Sequence, residues 1–156
     1  GVTQTKSITR EVYGTLPTCV YGVHPRLADA TNYQDLWWNA PAGSESGWGI
    51  NITQQSDVIF ATWFAYDTDG SPVWFSGTAT ATGSPGAYSG TLYRATGPAF
   101  NAQPFNASAV KLTAVGSYFL AFADGNAGTF SYTVNGVTQS KAITRQVFRT
   151  PGTMCR

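Results

Sequence analysis

The residues that most often carry catalysis are scarce and scattered along this chain. His24 is the only histidine, and it lies in a linker-like stretch beside Pro25. A nucleophile needs a base within hydrogen-bond reach, and nothing marks an activated serine for this histidine. Residues 43–47 read GSESG, but Glu45 occupies the position where a nucleophile elbow has serine. We therefore expect His24 to be structural or solvated.

Carboxylates are the next candidates, because two of them flanking a glycosidic bond can hydrolyse it. Asp35 and Glu45 flank the tryptophan-rich segment and are the one pair that suits this chemistry. Turn chemistry explains four other aspartates, whose side chains bond to nearby backbone: Asp57, Asp67, Asp69 and Asp124. The DTDGS stretch resembles the start of a calcium loop, but no acidic residue follows at the required spacing. The sequence predicts a protein that is not an enzyme and has neither cofactor nor metal site.

Aromatic side chains give the strongest signal for binding. Two adjacent tryptophans on a strand point to opposite faces, so one of the pair at 37–38 is expected at the surface. Trp63 and Trp74 lie near-opposite on consecutive strands, which predicts that they stack on one face. Flat aromatic rings can pack on sugar rings without any charge, although filling of the core is the competing interpretation. The candidate ligand-binding residues are Trp37, Trp38, Trp63, Trp74 and Tyr66.

A duplicated segment is the most unusual feature of the chain. Residues 1–13 (GVTQTKSITREVY) and 136–148 (GVTQSKAITRQVF) align without a gap, and nine of the thirteen positions are identical. Both copies have the same alternation and so favour the same position in a barrel. The matched residues predicted to mediate strand exchange or assembly are Ile8, Arg10, Val12, Ile143, Arg145 and Val147.

Three arrangements of the two copies are open. The C-terminal copy can fill the position through a hairpin at Asn135-Gly136, with the N-terminal copy added as an edge strand. The N-terminal copy can fill it instead, which frees the C-terminal copy to enter a neighbouring molecule. Alternatively, the copies occupy separate edges of an open sheet. The spacing of the copies also suggests a tandem array, in which residues 1–13 end a preceding unit.

The rest of the chain predicts antiparallel strands. Runs of β-branched and aromatic residues are broken by short turns rich in Gly, Asp and Asn. We predict an all-β, up-and-down meander that forms a curled sheet or a barrel of seven or eight strands, similar in shape to lipocalins and avidins, with a two-sheet sandwich as the alternative. Residues 1–19 are a terminal strand with linker, 20–34 a linker, and 35–156 the domain.

An arginine–tryptophan contact is expected at one end of such a barrel. In lipocalin- and avidin-type barrels a tryptophan near the first strand packs under an arginine from the last. By that analogy Arg145, or its twin Arg10, is predicted to stack on Trp48 or Trp38. Cys19 and Cys155 each follow a copy of the duplicated segment. They are predicted to form a disulfide, within one chain or between chains, and free thiols are the alternative.

A family resemblance runs through residues 31–155. The stretches NYQDLWWNAPAGSESGWGINI, VIFATWFAYDTDGSPVWF and DGNAGTFSYTVNGVTQSKAITRQVF resemble tandem β-rich repeats of uncharacterised secreted proteins of proteobacteria. The resemblance implies export and tandem repetition. It implies no activity and no ligand residues.

The amino-acid composition limits the classes of partner that the protein is expected to bind. Charged residues are 11% of the chain and nearly balanced in sign, so no basic surface favours nucleic acid. No apolar run is long enough to span a membrane. We therefore expect a secreted, extracellular or cell-surface module that binds polysaccharide or matrix. The alternatives are an assembly subunit joined to copies of itself or neighbouring repeats, and a barrel that holds a small apolar ligand.

Overall fold

The chain forms a closed barrel of antiparallel strands. A computed structural model, which describes residues 3–24 and 26–156, contains ten β-strands and two single-turn 3₁₀ helices. The strands are β1 (Cys19–His24), β2 (Asp35–Asn39), β3 (Gly49–Gln55), β4 (Val58–Tyr66), β5 (Pro72–Ala81), β6 (Ala87–Thr96), β7 (Lys111–Phe122), β8 (Ala127–Val134), β9 (Val137–Arg145) and β10 (Gly152–Cys155). Strands β2 to β9 pair in sequence order, and β9 closes on β2. The predicted up-and-down barrel is confirmed, and the sandwich alternative is wrong.

Side-chain alternation gives each barrel strand an inner and an outer face. On β4, Ile59 and Trp63 are buried, whereas Phe60 and Phe64 are exposed. The sequence of β4 is apolar on both faces. By sequence alone, its outer face could therefore be covered or could form an exposed aromatic surface. The outer face is an exposed aromatic surface. The largest fully buried side chains fill the interior and are Trp37, Phe130, Ile50, Ile52, Ile59, Leu92, Leu120 and Ile143.

One end of the barrel is sealed. The 3₁₀ helix Leu27–Asp29 crosses the end where β2 begins, and Gly125 in the β7–β8 turn donates its backbone N–H to the Ala28 carbonyl at 2.9 Å. A Cβ at Gly125 would lie 1.9 Å from a backbone oxygen of this helix, so only glycine permits the approach. Inside this end the rings of Tyr33 and Phe122 stack with centroids 3.9 Å apart.

Loops surround the opposite end, which is open. Residues 40–48, 67–71 and 97–110 connect successive strands there, together with the two-residue turn Asn135-Gly136. Both turn residues have positive φ, 49° and 85°, as a tight type I′ hairpin requires. The predicted hairpin between β8 and β9 is therefore confirmed.

The segments outside the barrel differ from expectation. Residues 20–34, expected to be a linker, contain most of β1 and a 3₁₀ helix, and β1 pairs with β10 in a separate two-stranded sheet. Residues 3–18 form no strand, so the described part of the N-terminal copy of the duplicated segment is not an edge strand. Cys19 and Cys155 form a disulfide within the chain, which joins β1 to β10 and confirms the predicted pairing.

Replacing both cysteines with serine is expected to lower the free energy of unfolding, because the disulfide closes a loop of 136 residues. Loss of a native disulfide typically costs about 2–5 kcal/mol. Urea unfolding of Cys19→Ser/Cys155→Ser in oxidising buffer measures the effect, and reduced wild-type protein is the control expected to match it. An unfolding midpoint equal to that of the oxidised wild type would contradict this prediction.

Candidate functional site

Three aromatic side chains stand in one row on the outer face of the barrel. Trp37 on β2 pairs with Ile50 on β3, so the next position along the same register places Trp38 beside Gly49. Gly49 in turn pairs with Phe64 on β4, and Phe64 pairs with Trp74 on β5. Neighbouring strands lie about 5 Å apart, so this aromatic row of Trp38, Phe64 and Trp74 extends over about 15 Å.

The aromatic row is open to solvent and lies mainly on strands that contain no charged residue. Trp74 is 47% exposed and Phe64 is similarly open. The half-buried Trp38 donates its indole N–H to the Gln146 side chain, which holds the ring against the outer wall. Tyr66, two residues beyond Phe64 toward the open end, is 57% exposed. Strands β3, β4 and β5 contain no Asp, Glu, Lys or Arg.

Two glycines shape this surface. Gly49 leaves a gap between Trp38 and Phe64, so a bound chain can lie across the row without meeting a side chain there. A Cβ at Gly49 would make only an ordinary 3.4 Å contact with a backbone oxygen. Gly47 differs, because its φ is +88° and a Cβ would lie 2.0 Å from the Tyr66 hydroxyl. The Tyr66 ring therefore packs directly on Gly47, which orients it.

The five aromatic residues selected from the sequence divide between the two faces of the barrel wall. Trp37 and Trp63 are buried in the interior and present no ring to solvent. Trp38, Trp74 and Tyr66 are on the outer face, near the open end. The structure thus brings three of the five predicted ligand-binding residues together and separates the other two.

The predicted stacking of Trp63 on Trp74 is wrong. The β4–β5 register pairs Trp63 with Phe75 inside the barrel and Trp74 with Phe64 outside it. A one-residue error in register moves a side chain to the opposite face. Sequence reasoning therefore missed Phe64 as the partner of Trp74, although the two apolar faces of β4 were the available signal.

A cavity of about 530 Å³ opens inside the barrel at its loop-ringed end. Its aromatic walls include Trp48, Trp63, Phe75 and Tyr132. The indole N–H groups of Trp48 and Trp63 are buried, and neither has a hydrogen-bond acceptor among the described residues. A buried donor without a partner costs about 1–3 kcal/mol. An acceptor on a bound molecule that reached either indole would remove that cost.

An ion pair stands at the rim of this cavity. Lys141 Nζ lies 2.5 Å from Glu45 Oε1, and 5.7 Å from the centroid of the Trp48 ring, which adds a cation–π contact. Burial, assisted by the Glu45 carboxylate, raises the pKa of Tyr132. The Tyr132 phenol is therefore neutral at physiological pH and donates a hydrogen bond to Gln139.

The carboxylates considered for glycoside hydrolysis do not meet. Asp35 lies at the sealed end and accepts a hydrogen bond from Arg145, whereas Glu45 lies at the open end with Lys141. Over residues 3–24 and 26–156, no three His, Cys, Asp or Glu residues are grouped so that they could hold a metal ion. In the same part of the chain, no helix has the length and apolar character needed to cross a membrane.

Arg145, the last residue of β9, is buried at the sealed end. Its guanidinium donates to the backbone carbonyls of Gln34 at 2.9 Å, Asn32 at 3.2 Å and Gly125, and to the Asp35 carboxylate at 3.2 Å. Burial lowers the pKa of Arg145, and Asp35 acts in the opposite direction. Arginine nevertheless stays charged, so these bonds are charge-assisted.

The expected arginine–tryptophan contact forms with a different tryptophan. The Arg145 guanidinium carbon lies 5.0 Å from the centroid of the Trp37 ring. The predicted partners, Trp48 and Trp38, are wrong: Trp48 lines the cavity at the open end, and Trp38 points outward. Trp37 is the tryptophan of β2 that faces inward beside β9, where it pairs with Arg145 in register.

The C-terminal copy of the duplicated segment closes the barrel. Ile143 and Arg145 are buried on β9, and Val147 lies beyond the strand and is partly exposed. The matching Ile8, Arg10 and Val12 lie in no strand and are exposed. The first of the three expected arrangements is therefore correct for the C-terminal copy.

Comparison with known proteins adds no information about the site. No protein-family model matches the sequence, and no curated protein matches it. The resemblance to secreted tandem repeats stays a prediction.

Replacing Arg145 with alanine is expected to destabilise the barrel by about 3–5 kcal/mol, because Asp35 and three carbonyls lose a buried cationic donor. The matched control is Arg94→Ala, since Arg94 pairs with Asp67 at the surface and such pairs contribute about 0–1 kcal/mol. Chemical unfolding of both variants measures the difference. Equal losses for the two arginines would contradict the assigned role of Arg145.

Proposed function

We propose that the protein is an extracellular module that binds a neutral polysaccharide through the aromatic row. The observation that carries this proposal is the strand register, which aligns Trp38, Phe64 and Trp74 across four strands with Gly49 between them. Core packing does not explain these rings, because they point away from the barrel interior. Aromatic faces give a sugar ring apolar contact area with little conformational entropy to lose.

The surroundings of the row support a neutral ligand. The neighbouring outer row contains Asn51, Thr62 and Ser76, which pair across β3, β4 and β5. Amides and hydroxyls of this kind can exchange hydrogen bonds with sugar hydroxyls. Strands β3 to β5 themselves contain no charged residue, and this favours a neutral polymer over an anionic one along the row.

The shape of the row supports a single polymer chain. Four neighbouring strands of an eight-stranded barrel follow a curved wall, so the row is convex. A crystalline polysaccharide surface is flat and would touch only part of it, whereas one flexible chain can follow the curve. The length of about 15 Å exceeds one sugar ring and suits several linked units.

An extracellular location is consistent with the disulfide between Cys19 and Cys155, because such bonds persist in oxidising compartments. The row presents aromatic rings beside amide and hydroxyl side chains, which suit binding, and the paired carboxylates considered for hydrolysis, Asp35 and Glu45, lie at opposite ends of the barrel. We therefore assign it to attachment or adhesion and not to turnover of the polysaccharide.

A small apolar ligand in the open-end cavity is a second candidate function. The specific observation that favours it is the pair of buried indole N–H groups without acceptors at Trp48 and Trp63. A small aromatic molecule with a carbonyl acceptor would suit these walls. Such binding would change the fluorescence of the interior tryptophans and would be unaffected by Trp74→Ala.

Trp38→Ala and Trp74→Ala are each expected to weaken binding to amorphous cellulose, starch or chitin by about tenfold, equivalent to about 1.4 kcal/mol, because each removes one stacking platform. Depletion assays on the insoluble polymers give the affinity. Tyr21→Ala is the matched control, since Tyr21 is an exposed aromatic of β1, outside the barrel. Failure of the wild-type protein to bind any of the three polymers would contradict the proposal.

Gly49→Val tests the row without removing an aromatic ring. The Cβ at this position has room, so the variant is expected to fold with wild-type stability. The added side chain raises a ridge between Trp38 and Phe64, and the expected result is a loss of affinity similar to that of Trp38→Ala. Unchanged affinity would show that bound polymer does not cross Gly49.

A further inference from the structure

We propose that residues 3–12 are a second barrel-closing strand, which can replace β9 in another copy of this chain. The inference does not rest on the polysaccharide proposal, because it is argued from β9 and its N-terminal counterpart and not from the aromatic row. It starts from the contrast between two nearly identical segments. One is buried in the barrel wall, and the other lies outside every strand of the described chain.

The inward-facing residues of the two segments are the same. Ile143 is 2% exposed on β9, whereas its counterpart Ile8 is 92% exposed. Arg10 matches Arg145, so it can supply the guanidinium that binds the carbonyls at the sealed end and packs on Trp37. The strand that closes the barrel requires an isoleucine and an arginine at these two positions, because both side chains are buried there. A segment exposed to solvent does not require either residue.

The polar contacts of β9 can be reproduced as well. On β9, Thr138 and Ser140 contact the hydroxyls of Thr133 and Ser131 at 2.8 and 2.9 Å. Each of these two β9 residues has a hydroxyl-bearing counterpart in the N-terminal copy. Two further β9 side chains bond to the barrel, one to Tyr132 and one to Glu45. The N-terminal copy has the identical residue at each of these two positions. The four counterparts in the N-terminal copy are Thr3, Gln4, Thr5 and Lys6.

In its own chain the C-terminal end of the segment is held by the β3–β4 region. Gln55 accepts hydrogen bonds from the backbone N–H groups of Tyr13 and Gly14, and donates to the Glu11 carbonyl at 3.0 Å. Before residue 11, the Lys6 ammonium lies 5.5 Å from the centroid of the Phe105 ring, and the buried Gln4 Nε2 has no hydrogen-bond partner among the described residues. The anchor keeps residues 3–10 on the outer surface and away from the β9 position, where a second copy can reach them.

The energetics of exchange follow from this match. Replacing β9 by residues 3–12 of another copy conserves the buried arginine, the buried isoleucine and the hydroxyl pairs, so the exchange has little net cost in contacts. Within one molecule β9 is favoured, since a two-residue turn joins it to β8 and raises its effective concentration. Exchange is therefore expected at high protein concentration or when β9 is weakened. The product is a head-to-tail assembly of copies.

Light scattering on Arg145→Ala is the first test. Alanine weakens β9 but leaves Arg10 intact, so the variant is expected to form dimers or longer assemblies whose mass rises with concentration. Arg10→Ala/Arg145→Ala is the matched control and is expected to stay monomeric, because neither strand then supplies the guanidinium. A monomeric Arg145→Ala, or equal assembly of both variants, would overturn the proposal.

Disulfide trapping tests the register in protein that retains Arg145. Because Thr5 matches Ser140, Thr5→Cys with Ser131→Cys is expected to form disulfides between chains at high concentration, seen on non-reducing gels. Ser140→Cys with Ser131→Cys is the positive control and should close within one chain. Thr3→Cys with Ser131→Cys is out of register and should not cross-link. Absence of the Thr5 cross-link, its formation within one chain, or equal cross-linking by Thr3 would overturn the proposal.

Discussion

The buried guanidinium of Arg145 is the interaction on which the rest of the structure depends. It connects the last barrel strand to the segment that enters the first and to the turn between β7 and β8. The flat face of the guanidinium packs on Trp37, while its edge satisfies backbone carbonyls that would otherwise be buried without donors. A sheet of this length that failed to close would expose two long edges.

Closure also determines where the functional surfaces lie. Once β9 pairs with β2, every strand has a fixed inner and outer face, and Trp37 and Trp38 are assigned to opposite sides of the wall. The inner face supplies the core and, toward the open end, the cavity. The outer face of β2 to β5 supplies the aromatic row. Charged residues are only 11% of the chain, and strands β3 to β5 contain none.

The class and connectivity of the fold were predictable from the sequence, because alternation and short turns are local signals. Asn135-Gly136 predicted its hairpin correctly for the same reason. The face of the barrel wall on which Trp74 lies was not predictable, because a shift of one residue in the register across the 67–71 turn moves the side chain to the opposite face. The partner of Arg145 was also missed, because the choice between Trp37 and Trp38 depends on which face of β2 turns inward.

The duplicated segment shows the limit of sequence reasoning most clearly. Two nearly identical copies predicted a competition for one position, and the Asn135-Gly136 hairpin was the one local signal that favoured the C-terminal copy. Local connection favours the C-terminal copy, because β9 follows β8 after two residues. The exposed copy has the isoleucine and arginine of a barrel strand, and this is the basis for proposing a second copy of the chain as its partner.

The central claim is that the aromatic row, and not the interior, receives the ligand. Nitrogen–proton NMR spectra that follow the five tryptophan indole N–H signals during titration with a soluble neutral oligosaccharide test it most directly. The account predicts that the signals of Trp38 and Trp74 move, while those of Trp48 and Trp63 stay in place. Movement of the Trp48 and Trp63 signals with Trp38 and Trp74 unchanged would contradict it and assign binding to the cavity.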